Sequence, residues 1–479
     1  MELSPPDRQH YRVTLGVLAL GGIAYALLQS LVIPALPEIQ RSLHASETSV
    51  GWVLTAYLLS ASVGTPVIGR LGDMYGKERV LMIVLVMLAL GTLISAVASS
   101  MSLLILGRVI QGAGGGIFPL AFGIIRDEFP REKVAGGIGL MSSLIGVGGG
   151  AGVVLAGFVV GHLSYHWLFW LPLIAILAAA VATHLFVPPS PVKEPGRINW
   201  VAAALMSAGL VLVLVVVSQT TTWGWGSAKT LGLLALGALL LVAWVRTELR
   251  ATEPLVDMRM MRIRGVWTTN LVAVLVGVGM YSSFILLPQF VQEPRSTGYG
   301  LGASVVAAGI FLLPSTLAMV LVGQVAGRLE RRFGSKPPLL AGSAFCAAAF
   351  ALLLVAREEP WEIYLASALL GVGIGLAFAA MSNLIVENVR QEQTGVATGM
   401  NTVMRTLGGA FGGQLAATFL ADNLGRGRLP TDHGYVLAFA MCAVALVVGV
   451  LAGLAIPKRS AHARAAPRPS APAAQPARA

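Results

Sequence analysis

The stretch Gly69-Arg70-Leu71-Gly72-Asp73-Met74-Tyr75-Gly76-Lys77-Glu78-Arg79 returns in part 258 residues later, as Gly327-Arg328-Leu329 and Phe333-Gly334, with Leu339 falling on Leu81. In both copies an apolar run gives way to a short charged loop. The same shift lays Gly137 on Gly395, and a shift of 259 lays Gly112, Gly114 and Gly116 on Gly371, Gly373 and Gly375. Single glycine matches are cheap in a chain with 56 glycines. A shared offset is not cheap, and it marks an internal duplication.

What is duplicated follows from composition. Of 479 residues, 56% are hydrophobic and 11% charged, against about 25% charged in soluble domains, so the chain cannot cover itself with polar surface. Runs near the roughly 20 apolar residues of a membrane span recur along it. They predict fourteen helices, at 13–36, 50–69, 80–98, 103–125, 134–160, 167–187, 200–218, 230–245, 266–291, 303–326, 339–356, 363–385, 395–421 and 435–456. The first run is longer than a signal-peptide core and has no small-x-small cleavage site before polar sequence, so it is expected to stay as a helix. The fold class is an all-α membrane protein. It reads as a six-helix half over 1–195, an inserted helix pair with its linker over 196–259, and a second six-helix half over 260–456. A basic tail at 457–479, rich in Ala, Pro and Arg, has no apolar face to bury and is expected to be disordered, its arginines touching anionic lipid.

Charge gives the orientation. Of the 33 Lys and Arg, 25 fall on segments that lie inside if the N-terminus is inside. Six (Arg41, Lys229, Arg295, Arg357, Arg426 and Arg428) fall on the other side, and Arg108 and Arg405 lie within helices. The positive-inside rule therefore puts both termini in the cytoplasm. It also accounts for the net charge of +11, because a nucleic-acid surface would gather its basic residues on one folded face; no nucleic-acid partner is expected. Cys346 and Cys442 lie in apolar spans and read as small buried hydrophobes. No cluster of His, Asp or Glu suggests a metal, a cofactor or an enzyme, and no ring of pore residues suggests a channel. The ratio of 27 Arg to 6 Lys, with abundant Ala and Gly, points to a GC-rich bacterial genome and hence a bacterial plasma membrane.

The loop around Asp73 resembles the signature between the second and third helices of the major facilitator superfamily. In that family the carboxylate binds the start of a helix in the other half and latches the outward-open state. Here that helix is expected to begin near Thr394-Gly395, with Asp73, Gly76, Lys77 and Arg79 forming the latch and Arg79 holding Asp73. Met74 and Glu78 stand where the family usually has basic residues. Leu106-Gly107-Arg108-Val109-Ile110-Gln111-Gly112 is similar to the family's second motif, with an Arg buried in that helix, and Arg108 reads as facing the cavity and sensing proton or substrate. Charge inside a span costs at least about 2.5 kcal/mol, so Arg108 is not expected to be idle, and Arg405 invites the same reading. Gly139, Gly148, Gly152 and Gly157 resemble the spacing of the antiporter motif, although Val153 and Ala156 replace its proline and a glycine. Small residues of this kind let helices pack closely and slide. Glu248–Arg259 and Gly395–Asn401 resemble the fourteen-helix drug:proton antiporter branch specifically.

That resemblance implies a monomeric secondary transporter that exports amphipathic organic compounds, such as drugs, antibiotics or self-made metabolites, in exchange for protons. The branch usually carries an Asp in the first helix; alignment on Ala35-Leu36-Pro37 puts Leu28 there. All 22 acidic residues read as lying in loops or at helix ends, which leaves Glu38, Glu387 or His184 as carriers of the proton. The alternative is an uncoupled or differently coupled carrier, with a membrane-embedded lipid-handling protein as a remoter one. Cavity-facing polar positions are expected at Tyr25, Gln29, Tyr57, Gln111, Tyr281, Gln289, Asn383 and Asn401. With Arg108 and Arg405 and no opposing acid, such a cavity favours neutral or anionic amphiphiles over cations.

Overall fold

A computed structural model describes residues 11–457 apart from 33, 34, 192, 194, 195 and 426–428. Apart from Pro457 the expected tail lies outside the described residues, as do Arg426 and Arg428. Regular structure among the described residues is helical, with a single isolated bridge between Leu424 and Pro430. In chain order the helices are α1 (Tyr11–Ser30), α2 (Leu36–Ser42), α3 (Glu47–Tyr75), α4 (Lys77–Ala96), α5 (Met101–Gln111), α6 (Ile117–Glu128), α7 (Arg131–His162), α8 (Trp167–Phe186) and α9 (Trp200–Ser218). There follow α10 (Thr220–Trp223), α11 (Ala228–Arg250), α12 (Met258–Met261), α13 (Arg264–Gln292), α14 (Val305–Phe333), α15 (Lys336–Val355), α16 (Pro360–Asn388), α17 (Thr394–Asp422) and α18 (Asp432–Leu454).

Twelve of the described helical stretches are long and apolar enough to cross a membrane, with α5, α6 and the turn between them counted as one. The two other long helices, α7 with 32 residues and α17 with 29, are rich in glycine and stand outside that set. Caps explain most of the boundaries. Ser46, Ser100, Asn199, Ser227, Ser304 and Thr431 each accept a backbone N–H from the first turn of the helix that follows, filling donors that no intrahelical carbonyl can reach. The first span stops at Ser30, short of the expected residue 36, and the chain resumes in α2 with Pro37 in its first turn. Helices α3 and α14 instead run past their expected ends to Gly76 (φ +106°) and Gly334 (φ +78°). These repeat-related glycines take a left-handed turn that a side chain would strain.

Three cores hold the helices together. One is drawn from Val17–Val187 with Val386, a second from Val272–Ile456, and a third joins parts of α9, α11 and α12 to α17. The first two are bridged by α7 packing on α14 and by α3 packing on α17. The fourth expected span is not a uniform helix. Between α5 and α6, Gly112–Gly116 tightens into a 3-10 turn. A Cβ on Gly114 would stand 2.5 Å from the Tyr25 ring, and one on Gly115 2.5 Å from Thr65 Oγ1. The glycines let α1 and α3 approach this turn.

Candidate functional site

The closed end of the molecule is built where α3 meets the start of α17. Gly69 and Gly395 touch backbone to backbone: a Cβ on either would lie 2.5–2.6 Å from the other's carbonyl oxygen. One turn further on, Asp73 is fully buried and accepts the N–H groups of Gly395 (3.2 Å) and Val396 (3.1 Å). These are donors that the first turn of α17 leaves open, at the positive end of its dipole. Lys77, also fully buried, sits 3.7 Å from Asp73 and 2.8 Å from Asp127. Asp127 in turn accepts from Gln391 at 2.9 Å. Arg126 donates to the carbonyls of Val389 (2.9 Å) and Arg390 (3.1 Å) and to Thr394 Oγ1 (2.6 Å). Arg79 does not hold Asp73. It is largely exposed and lies 3.7 Å from Glu78, because Gly76 turns the chain and only Lys77, four residues on, comes back over the carboxylate.

The repeat builds a second closure. Gly327 of α14 meets Gly136 of α7, and Arg331, the counterpart of Asp73 at a shift of 258, donates to the carbonyl of Glu132 at 3.2 Å. Above it, on α7, Gly139 and Gly157 face α14. Gly148 and Gly152 face α1, where Ser30 Oγ donates to the Gly148 carbonyl at 2.5 Å. One face of α7 thus packs on the first core while the other meets α14.

Beyond these closures, toward the opposite end, lies a cavity of about 660 Å³ between α1, α3 and α7 on one side and α13 and α14 on the other. Its wall is mostly apolar, with Phe284, Ile285 and Leu58 among the lining residues, and its polar groups include Gln29, Tyr57, Tyr281 and Gln289. Gln29 donates to Tyr281 at 3.5 Å across the middle. A pocket of about 30 Å³, lined by Tyr25, Gln29, Tyr281 and Arg405, adjoins it. The guanidinium of Arg405 stands 4.2 Å from the centre of the Phe378 ring, and its Nε has no hydrogen-bond partner.

Four expected cavity or sensor residues lie elsewhere. Arg108 is buried inside the first core, where it donates to the carbonyls of Val53 (3.0 Å) and Leu28 (3.3 Å) and to Gln111 Oε1 (2.8 Å). Its guanidinium lies 4.1 Å from the centre of the Tyr57 ring, so Tyr57, not Arg108, meets the cavity. Gln111 turns the other way, to Thr92 and Ser95. Asn383 donates to Glu330 (2.5 Å) and to the carbonyl of Ala135 (3.4 Å), and Asn401 to Asn270 (2.9 Å). Both asparagines are consumed in helix packing near the closed end.

Two of the three expected proton carriers are also displaced. Glu38 pairs with Arg41 at 2.9 Å on the short α2, away from the cavity. His184 is exposed near the end of α8. Glu387 is positioned by Ser335 Oγ at 3.2 Å. Leu28, where an acid was looked for, is fully buried.

Sequence reading missed Asp127, Arg126, Glu293 and Glu330. The first two close α6, and their proximity to Lys77 comes from α6 packing on α4 and α17, which linear spacing does not reveal. Glu293 lines the cavity and accepts from Tyr435 at 3.1 Å, so the cavity does carry one acid, already engaged by a phenol. Glu330 looks like one member of the charged run Arg328–Arg332 but points inward.

A sequence profile for the Major Facilitator Superfamily matches residues 18–413. The chain is 29% identical to the tetracenomycin C resistance and export protein of Streptomyces glaucescens, over 86% of this chain and 76% of that one. It is 27% identical to the multidrug transporter protein MdtP of Bacillus subtilis strain 168, over 90% and 79% of the two chains. With the multidrug resistance protein B homolog of Mycobacterium tuberculosis H37Rv it shares 26% identity over 98% and 94%. In shape it is similar to the crystal structure of the human organic anion transporter MFSD10, with a TM-score of 0.67 at 17% identity, covering 94% of this chain and all of that one.

Proposed function

Because the chain belongs to the Major Facilitator Superfamily, and is therefore a transporter and not an enzyme, we propose that it is a secondary exporter of amphipathic organic compounds, exchanging them for protons by alternating access. In this reading α7 and α17 also cross the bilayer, giving fourteen spans in two six-helix halves with α9 and α11 inserted between them. The Asp73 end faces the cytoplasm of a bacterial cell, both termini lie there, and the chain works as a monomer. The observation that carries the reading is the asymmetry of the molecule: sealed at the Asp73 end, and hollow beyond it, with a large, mostly apolar chamber over a tyrosine-lined floor. Apolar walls with few polar anchors suit bulky, loosely specified ligands. Relatives named for antibiotic and multidrug export support the same class of cargo. Arg405 at the floor, with no carboxylate among the described residues within salt-bridge reach, favours neutral or anionic compounds.

Liposomes containing the purified protein and an internal pH dye test this directly. Neutral or anionic amphiphiles added under an imposed proton gradient should elicit proton flux. Substrate movement without proton flux would support the second reading, an uncoupled carrier, which Leu28 in the first helix favours. Strong transport of ethidium-like cations would remove the charge preference.

A further inference from the structure

The proton site that the first helix lacks has a candidate at the closed end. Glu330 ends α14 yet is 5% exposed, and its Oε1 has no hydrogen-bond partner. Its Oε2 accepts from Asn383 at 2.5 Å and from Ser335 at 3.4 Å. The same Ser335 hydroxyl lies 3.2 Å from Glu387 Oε1, so a single donor faces two carboxylates. Among the described residues no cation lies within salt-bridge reach of Glu330. On the same helix Arg331 reaches the carbonyl of Glu132 on α7, and Lys336 of α15 reaches the carbonyls of Leu454 and Ile456. Arg264, at the start of α13, reaches the carbonyl of Ala455, Arg328 and Arg332 are exposed, as are Glu132 and Lys133 at the start of α7, and the Ala135 carbonyl of α7 accepts from Asn383.

A dry carboxylate facing a second one, with an oxygen that nothing donates to, is costly as an anion and comfortable as an acid. We propose that Glu330, set against Glu387 and Asn383, binds one proton when the Asp73 end is closed and releases it to the cytoplasm when that end opens. Asn383 ties the site to the closure, because its amide spans from Glu330 to Ala135 in the other half. Separating α14 from α7 breaks that bridge and admits water to the carboxyl. The proton balance is one H⁺ held in the closed form and one H⁺ in cytoplasmic water in the open form. By linkage, raising the pH favours opening. The site rests on the reading that this end faces the cytoplasm and opens during transport, but its test needs no substrate.

Spin labels at the exposed positions Arg131→Cys and Arg332→Cys, with the buried Cys346 and Cys442 changed to Ala, report the separation of α7 from α14. Between about pH 5 and about pH 9 the open-to-closed ratio should rise with pH, by up to about tenfold per unit for one linked proton. E330Q should stay closed and lose that response. R331Q, which removes an α7–α14 contact without touching Glu330, should open more at every pH and keep it. Should E330Q fail to fold, Glu330→Met, of similar volume and without a charge, takes its place. A wild-type pH response in E330Q, or a response lost equally in R331Q, would overturn the proposal. No proton flux in liposomes beside an intact pH-driven opening would instead count against proton-coupled export alone.

Discussion

Arg108 and Arg405 are both arginines buried in spans, and their surroundings assign them different work. Arg108 spends its fork on two carbonyls and Gln111 and lies over Tyr57; a lysine cannot reproduce that planar set. Arg108→Lys should lower the melting temperature in detergent, since buried acceptors left bare cost about 1–3 kcal/mol each, and its effect on turnover should follow from lost folded protein. Arg405 has a ring beneath it, an orphan Nε and a polar pocket in front. R405Q should raise the KM for anionic amphiphiles at least about tenfold, the worth of one charge-assisted hydrogen bond, and leave neutral ones nearly unchanged. Equal losses for both cargo classes would assign Arg405 to packing. The sequence exposes both arginines as anomalies, because charge in an apolar run is visible at once. It could not separate them, because the carbonyls of Val53 and Leu28 come from other helices. For the same reason Asn383, Asn401 and Gln111 read as cavity residues: a polar side chain in a span must find a partner, and linear order does not say on which neighbour.

At the scale of elements, closure is a matter of helix ends. α3 and α17 touch through two glycines, and Asp73 then caps α17 from across the interface. Asp73→Asn keeps one acceptor but turns an amide toward the N–H of its neighbour and removes the charge that the helix dipole favours. It should slow transport about tenfold, on the scale of 1–2 kcal/mol for such a cap, while membrane insertion and expression stay normal. Unchanged turnover would end the latch role. Gly69→Ala acts on the same contact by sterics, since its Cβ would lie 2.5 Å from the Gly395 carbonyl. It should push the molecule toward the cytoplasm-open form, seen as a longer α3–α17 label distance. The resemblance of the Asp73 loop to the family signature made this interface legible, because it implied a partner helix beginning near Thr394-Gly395. The replacement of Arg79 by Lys77 was not legible, since it depends on the left-handed turn at Gly76.

The whole molecule turns one chemical imbalance into a question of net charge moved. If one proton enters for each compound exported, a neutral cargo moves one positive charge inward, an anionic cargo two, and a cationic cargo none. Each charge crossing about 100 mV is worth about 2.3 kcal/mol, or about fiftyfold in the gradient sustained. A membrane potential, inside negative, imposed on liposomes at equal pH should therefore drive export of a neutral amphiphile and drive an anionic one more steeply. The readout is initial cargo flux against potential, set by potassium and valinomycin. A neutral cargo whose flux ignores both potential and pH gradient would mark an uncoupled carrier, and Glu330 would then gate the cytoplasmic end without powering export. The orientation that fixes the sign of this experiment is the one proposed from the loops, where 25 basic residues against six place the Asp73 closure inside under the positive-inside rule. The apolar helices were readable from the sequence because spans must be apolar and loops charged. The place where a proton could sit was not, because Glu330 hides in a basic run and is buried only when α14, α16 and α7 come together.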